Sequence, residues 1–536
     1  MNKTHLRVLA GLLGVSVIAS GCAKTDDQNT TTTEASVTET TAVETETDVL
    51  ETTQAIDNLG ERPDLPEAPA DGMEDLVYEA EDAEFTGNAF AGTDSSCSGG
   101  GYADGLFSTG SEEEAADAIT FKIEVPYDYY YDLTFLGSSG GSKKYNYVKL
   151  DGMEICELGT SGSGYTESTV EHIYMTAGSH DVSLETYWGY VKYDNLTVSL
   201  AEELDSSIYE VSADLVNPNA DENARRLMKF LTDIYGDFIL TGQYSDGFVG
   251  MEMQSIYLQT DTRPAICGLD LIEYSPSRVE RGSTSQAVEN AIDYWERGGI
   301  VTFCWHWNAP SKYLTGDWYS GFRAEATNID LAKIMNGEDE EGYELLLEDI
   351  DAIAAQLQRL EDAGVPVLWR PLHEASGGWF WWGEKGAEPY KKLWILLYDK
   401  LTNEYGLDNL IWLWNGQDAD WYPGDEYVDI IGEDIYPGKK VDSSQISKFL
   451  QAARYTSGKM VVLSENGCVP DPEKCYLDGA MWGFYCTWGG EFVLKTSSLN
   501  RYSENYTTLE VLKKMYESPL SLTLDELPDL KNYPLD

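Results

Sequence analysis

Positive charge is scarce in this chain. Thirty-six Lys and Arg stand against 93 Asp and Glu, a formal net charge of −57 over 536 residues. A field of that sign repels phosphates, which weighs against a nucleic-acid partner and against charge-driven adhesion to an anionic membrane. Long apolar runs are missing beyond the N-terminus, so no later segment has the length to span a bilayer. Cysteine is sparse. After Cys22, Cys97, Cys156, Cys267, Cys304, Cys468, Cys475 and Cys486 remain, an odd number that forbids complete pairing within the chain. None has the Cys/His spacing of a metal site. Cys267 and Cys304 sit in apolar runs and read as small hydrophobes, whereas Cys468 and Cys475 are near enough in sequence to pair. Aromatic residues, by contrast, are abundant, with 35 Tyr and 15 Trp. A neutral polymer suits such an acidic, aromatic-rich surface, although acidity also serves simply to keep an exported protein in solution.

The first residues are an export signal. Lys3 and Arg7 precede the apolar run LRVLAGLLGVSVIAS, which ends at Gly21-Cys22. A cysteine directly after Ala19-Ser20-Gly21 resembles a bacterial lipobox, with Ala19 where Leu is usual. The resemblance implies a signal peptide over residues 1–22, lipidation at Cys22, and an extracellular, cell-surface protein whose only membrane contact is the lipid. A plain secretory signal is the alternative. Residues 23–73 are rich in Thr and Glu and carry no aromatic residue. They cannot bury enough apolar surface to offset their ordering entropy and are expected to form a disordered tether.

Two patterns follow. Over residues 74–202, short segments of period two recur between Gly and Ser clusters. In PYDYYYDLTF, Tyr127, Tyr129, Tyr131, Leu133 and Phe135 share one face. Many short strands at this spacing predict an all-β sandwich. Over residues 211–525, apolar runs alternate with amphipathic stretches eight times. The runs are FILTGQ, AICGLDLI, GIVTFCWHW, PVLWRPLHE, LIWLWNG, VDIIGEDIY, MVVLSENG and FYCTWGGEF. The clearest helix, DIDAIAAQLQRLEDAG, places Ile350, Ile353, Leu357 and Leu360 on one face and stops at Gly364. Apolar strands with helical crossovers imply a parallel sheet covered on both faces. Eight such units predict an α/β (β/α)8 TIM barrel behind the jelly-roll-like sandwich, with a doubly wound open sheet as the alternative.

A barrel places its chemistry at the C-terminal ends of its strands. Those ends read Trp305-His306-Trp307, Arg370-Pro371-Leu372-His373-Glu374, Trp414-Asn415-Gly416, Asp434-Ile435-Tyr436 and Ser464-Glu465-Asn466-Gly467, followed by Trp488. A lone Glu at a strand end is usually solvated or salt-bridged, and Trp379, Trp381 and Trp382 could merely cover the rim. Together, however, two carboxylates over a cup of indoles are what glycosidic cleavage needs. One protonates the leaving oxygen, and the other attacks the anomeric carbon or activates water. The flat faces of sugars stack on the aromatic rings.

WRPLHE followed by GGWFWWG resembles the acid/base signature of glycoside hydrolase family 26, whose members are mostly endo-β-1,4-mannanases. TGQ, WHW, DIY, SENG and TWGGEF fall in the family's order. The resemblance implies a retaining mannan endo-1,4-β-mannosidase, with Glu374 as acid/base and Glu465 as nucleophile. Glu374 should start protonated and Glu465 ionised, the latter held by Tyr436 or Arg370. By the same resemblance His306, Arg370, His373, Trp379, Asp434, Tyr436 and Trp488 bind substrate, and catalysis needs no cofactor. Ala375-Ser376 departs from the family's frequent Met-Asn. Mixed-linkage β-glucan or β-1,3-xylan are alternative polymers, and a non-catalytic polysaccharide-capture lipoprotein is the alternative of a different class. The sandwich resembles carbohydrate-binding module family 35 through YEAEDA and VKYDNLTV. That likeness implies a structural Ca2+ held by Glu79, Glu81 and Asp194, whose hard oxygens suit the ion. Trp188 and Tyr190 are either sugar platforms or packing residues. A monomer acting on a β-mannan-type polysaccharide is expected.

Overall fold

Alternation of buried and exposed side chains shapes the first half of the chain, and continuous burial shapes the second. The computed structural model describes residues 62–111, 114–495 and 498–535. The export signal, Cys22 and the tether up to residue 61 lie outside those residues. No helix among the described residues is long and apolar enough to cross a membrane. From Arg62 the chain runs without helix or strand to the first β-strand, and Arg62 Nη1 donates to Asp237 at 2.8 Å.

Eleven strands build the sandwich: β1 (Leu76–Glu79), β2 (Glu84–Thr86), β3 (Phe90–Thr93), β4 (Gly101–Asp104), β5 (Ala118–Val125), β6 (Tyr129–Ser138), β7 (Gly141–Leu150), β8 (Met153–Gly162), β9 (Thr166–Met175), β10 (Gly178–Trp188) and β11 (Lys192–Leu200). They pair antiparallel in two sheets, β3-β4-β11-β6-β9 with β1 added on β11, and β2-β5-β10-β7-β8. Period two holds along β6, where Tyr129, Tyr131, Leu133 and Phe135 are buried. Tyr130 breaks it. It is buried as well, because its ring stacks on His172 (centroids 4.1 Å apart) where the sandwich meets the second half. At that junction His172 Nδ1 lies 2.9 Å from the Asp478 carbonyl, and the Tyr174 amide donates to Asp478 Oδ1 at 3.0 Å.

The second half is a closed barrel of eight parallel strands: β12 (Gly242–Tyr244), β13 (Ile266–Asp270), β14 (Ile300–Trp305), β15 (Val367–Pro371), β16 (Leu410–Trp414), β17 (Ile430–Ile435), β18 (Met460–Asn466) and β19 (Tyr485–Thr487). Gln243 pairs with Thr487 and closes the ring, so the open-sheet alternative is ruled out. Every residue of β14, β15, β16, β17 and β18 is buried. Side chains on one side fill the barrel, and those on the other meet the helices. Helix α1 (Glu340–Asp362) buries Ile350, Ile353, Leu357 and Leu360 and is followed by Gly364 at φ +68°. It starts before the stretch that marked it in the sequence, where Asp339 accepts from the Gly342 amide. Its first turn carries Glu340 and Glu341, which oppose the positive end of the helix dipole favourably.

All seven cysteines among the described residues are buried and unpaired. The optional Cys468–Cys475 pairing is absent, and the Cys468 thiol instead donates to the Gly438 and Tyr506 carbonyls.

Candidate active site

The strand ends bring the predicted residues into one cup. Arg370, the fourth residue of β15, is fully buried and points its guanidinium across the barrel mouth. Nη1 donates to Asp434 at the end of β17 (2.6 Å), and Nη2 donates to Glu465 on β18 (2.5 Å) and to the Tyr244 hydroxyl on β12 (2.9 Å). Burial alone would favour the neutral guanidine. The charges of Asp434 and Glu465, with Tyr244 beside them, instead hold its pKa well above the ordinary value, so it stays cationic. The Tyr436 hydroxyl donates to the other oxygen of Glu465. Burial and the adjacent carboxylates push the Tyr436 phenol well up, so it remains a donor. Glu465 thus takes a charge-assisted bond on one oxygen and a phenol bond on the other. Asp434 is held in turn by Ser464 Oγ (2.8 Å) and Asn415 Nδ2 (3.2 Å).

Glu374 has the opposite environment. It follows β15 in the left-handed region at φ +52°, as does Leu372 two residues earlier. Bulky residues rarely adopt this conformation, and it persists only where the surroundings hold it. Here the Glu374 amide donates to the Asn415 carbonyl at 2.8 Å, and Trp382 Nε1 donates to the His373 carbonyl at 2.9 Å. The Glu374 carboxyl receives a single side-chain hydrogen bond, from Trp379 Nε1 at 2.8 Å. Burial, and next the negative charge of Glu465, push its pKa up to about 7. The two carboxylates face each other: one oxygen from each of Glu374, Asp434 and Glu465 lies within 4.8 Å of the other two. Three acidic groups this close could suggest a cation site, but the guanidinium of Arg370 already bridges Asp434 and Glu465.

Aromatic residues wall the cup. Trp379 is 48% exposed and lies against Gly377, where a Cβ would come within 2.0 Å of its ring. Trp488 packs on Tyr244 (4.7 Å between centroids) and on His306 (5.7 Å). His306 and His373 meet through their Nε2 atoms at 3.2 Å. His373 is buried, and burial together with the nearby positive charge of Arg370 keeps it neutral, its pKa well below the usual histidine value. Two participants escaped the sequence reading. Tyr244 ends β12 and bonds Arg370, and Asp270 ends β13 and lies 2.7 Å from His306 Nδ1. The available signal for Asp270 was its place as the sole charged residue at the end of the apolar run AICGLD.

A second acidic cluster lies in the sandwich. Ser98 Oγ lies 2.7 Å from Glu79 Oε2 and 2.9 Å from Asp194 Oδ1. Gly99 and Gly101 let the loop run against Glu81, since a Cβ on Gly99 would stand 2.5 Å from Glu81 Oε1. Glu81 Oε2 is buried without a hydrogen-bond partner. The donor set is all oxygen. Elsewhere on the sandwich Trp188 and Tyr190 are 53% and 61% exposed, which separates them from core packing.

Comparison with known proteins agrees with this arrangement. The model of glycosyl hydrolase family 26 matches residues 216–526, and that of carbohydrate binding module family 35 matches residues 76–201. A mannan endo-1,4-β-mannosidase of Thermothelomyces thermophilus is 39% identical over 456 residues, spanning 84% of this chain and 90% of that protein. The crystal structure of a Podospora anserina GH26-CBM35 β-(1,4)-mannanase aligns with a TM-score of 0.60 at 39% identity, covering 86% of this chain and all of that one. A β-mannanase from a symbiotic protist of the termite Reticulitermes speratus, solved with gluco-manno-oligosaccharide, aligns with a TM-score of 0.52 at 34% identity. That match covers 60% of this chain and 99% of the other.

Proposed function

The chain belongs to glycosyl hydrolase family 26, and on that premise we propose that it is a retaining endo-β-1,4-mannanase. Glu374 is its acid/base and Glu465 its nucleophile. The observation that carries this reading is the contrast between two facing carboxyls. One is pushed up to about 7 by burial and by its neighbour. The other is clasped by Arg370 and Tyr436. Two facing carboxyls in such different surroundings support the assignment of acid and nucleophile. One oxygen of each lies within 4.8 Å of the other, which supports the closer of the two spacings that glycosidases use. Retaining enzymes hold their carboxyls about 5–5.5 Å apart, and inverting enzymes hold them wider.

The steps follow. Glu374 gives its proton to the glycosidic oxygen while Glu465 attacks the anomeric carbon, so the bond to the leaving sugar breaks and a glycosyl ester forms. Glu374, now ionised, takes a proton from water, which attacks the same carbon and releases Glu465. Arg370 and Tyr436 hold the Glu465 carboxylate in place for attack and donate to it again on release. His306, His373, Trp379, Asp434, Tyr436 and Trp488 shape the pocket around the ring being cleaved. Side chains alone supply this chemistry.

The relatives named above act on mannan, which supports mannan, glucomannan or galactomannan as the polymer. The sandwich acts as the carbohydrate-binding module, with the exposed Trp188 and Tyr190 as sugar platforms. Glu79, Glu81 and Asp194 would hold a structural Ca2+, and the buried, unpartnered Glu81 Oε2 supports this site. The organisation is a signal peptide over residues 1–22, lipid on Cys22, a tether over 23–73, the module over 74–202 and the barrel over 211–525. On this reading the enzyme is a monomer outside the cell on a lipid anchor. Reducing-sugar release from mannan, mixed-linkage β-glucan and β-1,3-xylan tests the substrate. Mannan should give internal cleavage products of mixed length. Release from glucan or xylan instead would redirect the reading, and release from none would favour polysaccharide capture.

A further inference from the structure

Resting on the mannanase reading, we infer that Asp270 is a positioning residue. It fixes the tautomers of His306 and His373 and thereby pins the strained backbone that presents Glu374. Asp270 ends β13 and has no contact with Glu374 or Glu465 in the hydrogen-bond network described above. One of its oxygens accepts from the backbone amides of Ile272 (2.9 Å) and His306 (3.1 Å). The other lies 2.7 Å from His306 Nδ1. A carboxylate so placed accepts, and therefore the His306 proton resides on Nδ1. With a single ring proton on His306, its Nε2 is a lone pair that receives a hydrogen from the atom 3.2 Å away, His373 Nε2; a second proton on His306 would instead force the hydrogen of His373 onto its Nδ1. His373 is neutral, so with Nε2 protonated its Nδ1 carries no hydrogen. That agrees with an independent observation: Nδ1 of His373 is buried with no hydrogen-bond partner. An orphaned acceptor at this position is tolerable, whereas an orphaned N–H is the more costly alternative.

The pin matters because of what His373 separates. Leu372 and Glu374, on either side of it, both sit at φ +52°. The ring of His373 packs against Phe380 (5.1 Å between centroids) and Trp382 (5.7 Å). Its one ring hydrogen bond is the link to His306. Asp270 thus sets the direction of the hydrogen bond that holds the middle residue of a strained triplet, and Glu374 is its last member.

Asp270→Asn tests this with almost no change of shape. An amide facing His306 Nδ1 either opposes N–H to N–H or turns the proton onto Nε2, where it faces the His373 proton. Relieving that clash places a hydrogen on the buried His373 Nδ1, the unfavourable state. The chain has five histidines, so long-range 1H–15N spectra can assign the tautomers directly. In the full-length wild type, His306 should be protonated at Nδ1 and His373 at Nε2. Any other pair of tautomers overturns the inference, whatever the activity. In Asp270→Asn the His306 Nδ1 proton should be lost, while the melting temperature confirms a folded chain. kcat/KM on manno-oligosaccharides should fall about 10- to 100-fold, the effect of one unsatisfied buried donor. On a dinitrophenyl mannoside, whose departure needs no proton, the loss should be under about threefold for the glycosylation step. Equal losses on both substrates, or no loss on either, would show that Asp270 does not act through Glu374. Failure of the wild type on every mannan substrate would instead overturn the mannanase reading and leave the tautomer assignment standing.

Discussion

Among the described residues, two groups of three acidic side chains, one in the barrel and one in the sandwich, are partnered in opposite ways. In the barrel, Glu374, Asp434 and Glu465 bring oxygens within 4.8 Å of one another. The chain supplies its own cation, the fully buried Arg370, which bridges two of them. The third stays outside that bridge and has its pKa pushed up to about 7. In the sandwich, the Ser98 hydroxyl lies between Glu79 and Asp194, and Glu81 beside them leaves one buried oxygen unpartnered. Where a fixed guanidinium is built in, two carboxylates are bonded to it and the third, outside the bridge, has its pKa raised, which is the arrangement the proposed mechanism uses. Where no cation is built in, the site suits one from solution.

The largest effect that can break this comparison lies in the barrel. Glu465→Ala should reduce mannan turnover by about 10^3-fold or more while binding of the polymer by the module persists. Reducing-sugar and pull-down assays report the two separately, and full turnover would remove Glu465 from the mechanism. Arg370→Met should rank next. It strands Asp434 and Glu465 without their counter-charge, and removing one partner of such a buried pair costs about 3–5 kcal/mol. Denaturant midpoints measure the loss, and unchanged stability would show that the guanidinium is not what reconciles the carboxylates. In the sandwich, Ca2+ should raise the melting temperature of the wild type by a few degrees and have no such effect on Glu81→Gln. Turnover of soluble oligosaccharides should be equal with and without EDTA. A matching rise in the variant would place the ion elsewhere.

The smallest effect concerns pH. Glu374 must carry its proton to act, and its pKa lies at about 7. kcat/KM should therefore fall about tenfold per pH unit above this value, the alkaline limb of a bell whose acid limb belongs to the nucleophile. The Trp379 hydrogen bond opposes that elevation by favouring the ionised carboxyl. Trp379→Phe should consequently move the alkaline limb to higher pH by a fraction of a unit, and a shift to lower pH would contradict the role given to the bond.

The barrel was legible because its strands announce themselves. Eight apolar runs end in residues that an apolar core would not choose, and the string from Arg370 to Glu374 followed by Trp379, Trp381 and Trp382 is specific enough to mark one strand end as chemical. The partners of those residues were less legible. Arg370 meets Asp434 across 64 residues of sequence, and only closure of the barrel reveals the ion pair. Asp270 was hidden among 93 acidic residues, since its meaning comes from His306 on the neighbouring strand. Period two in the sandwich predicted the core face of β6 but not the burial of Tyr130, which depends on the junction with the barrel rather than on its own strand. Cys468 and Cys475 illustrate the same limit: nearness in sequence permitted a bond, yet both are buried and unpaired, with the Cys468 thiol turned to backbone carbonyls.

The central claim is the division of labour between Glu465 and Glu374. A 2-deoxy-2-fluoro-β-mannosyl fluoride tests it most directly, because it slows both steps but leaves easily enough to trap the ester. Digestion and mass spectrometry should find one fluorosugar per chain, attached to the peptide containing Glu465 and absent from Glu465→Ala. A label on any other residue, or turnover that gives the inverted anomer with no adduct at all, would contradict the account.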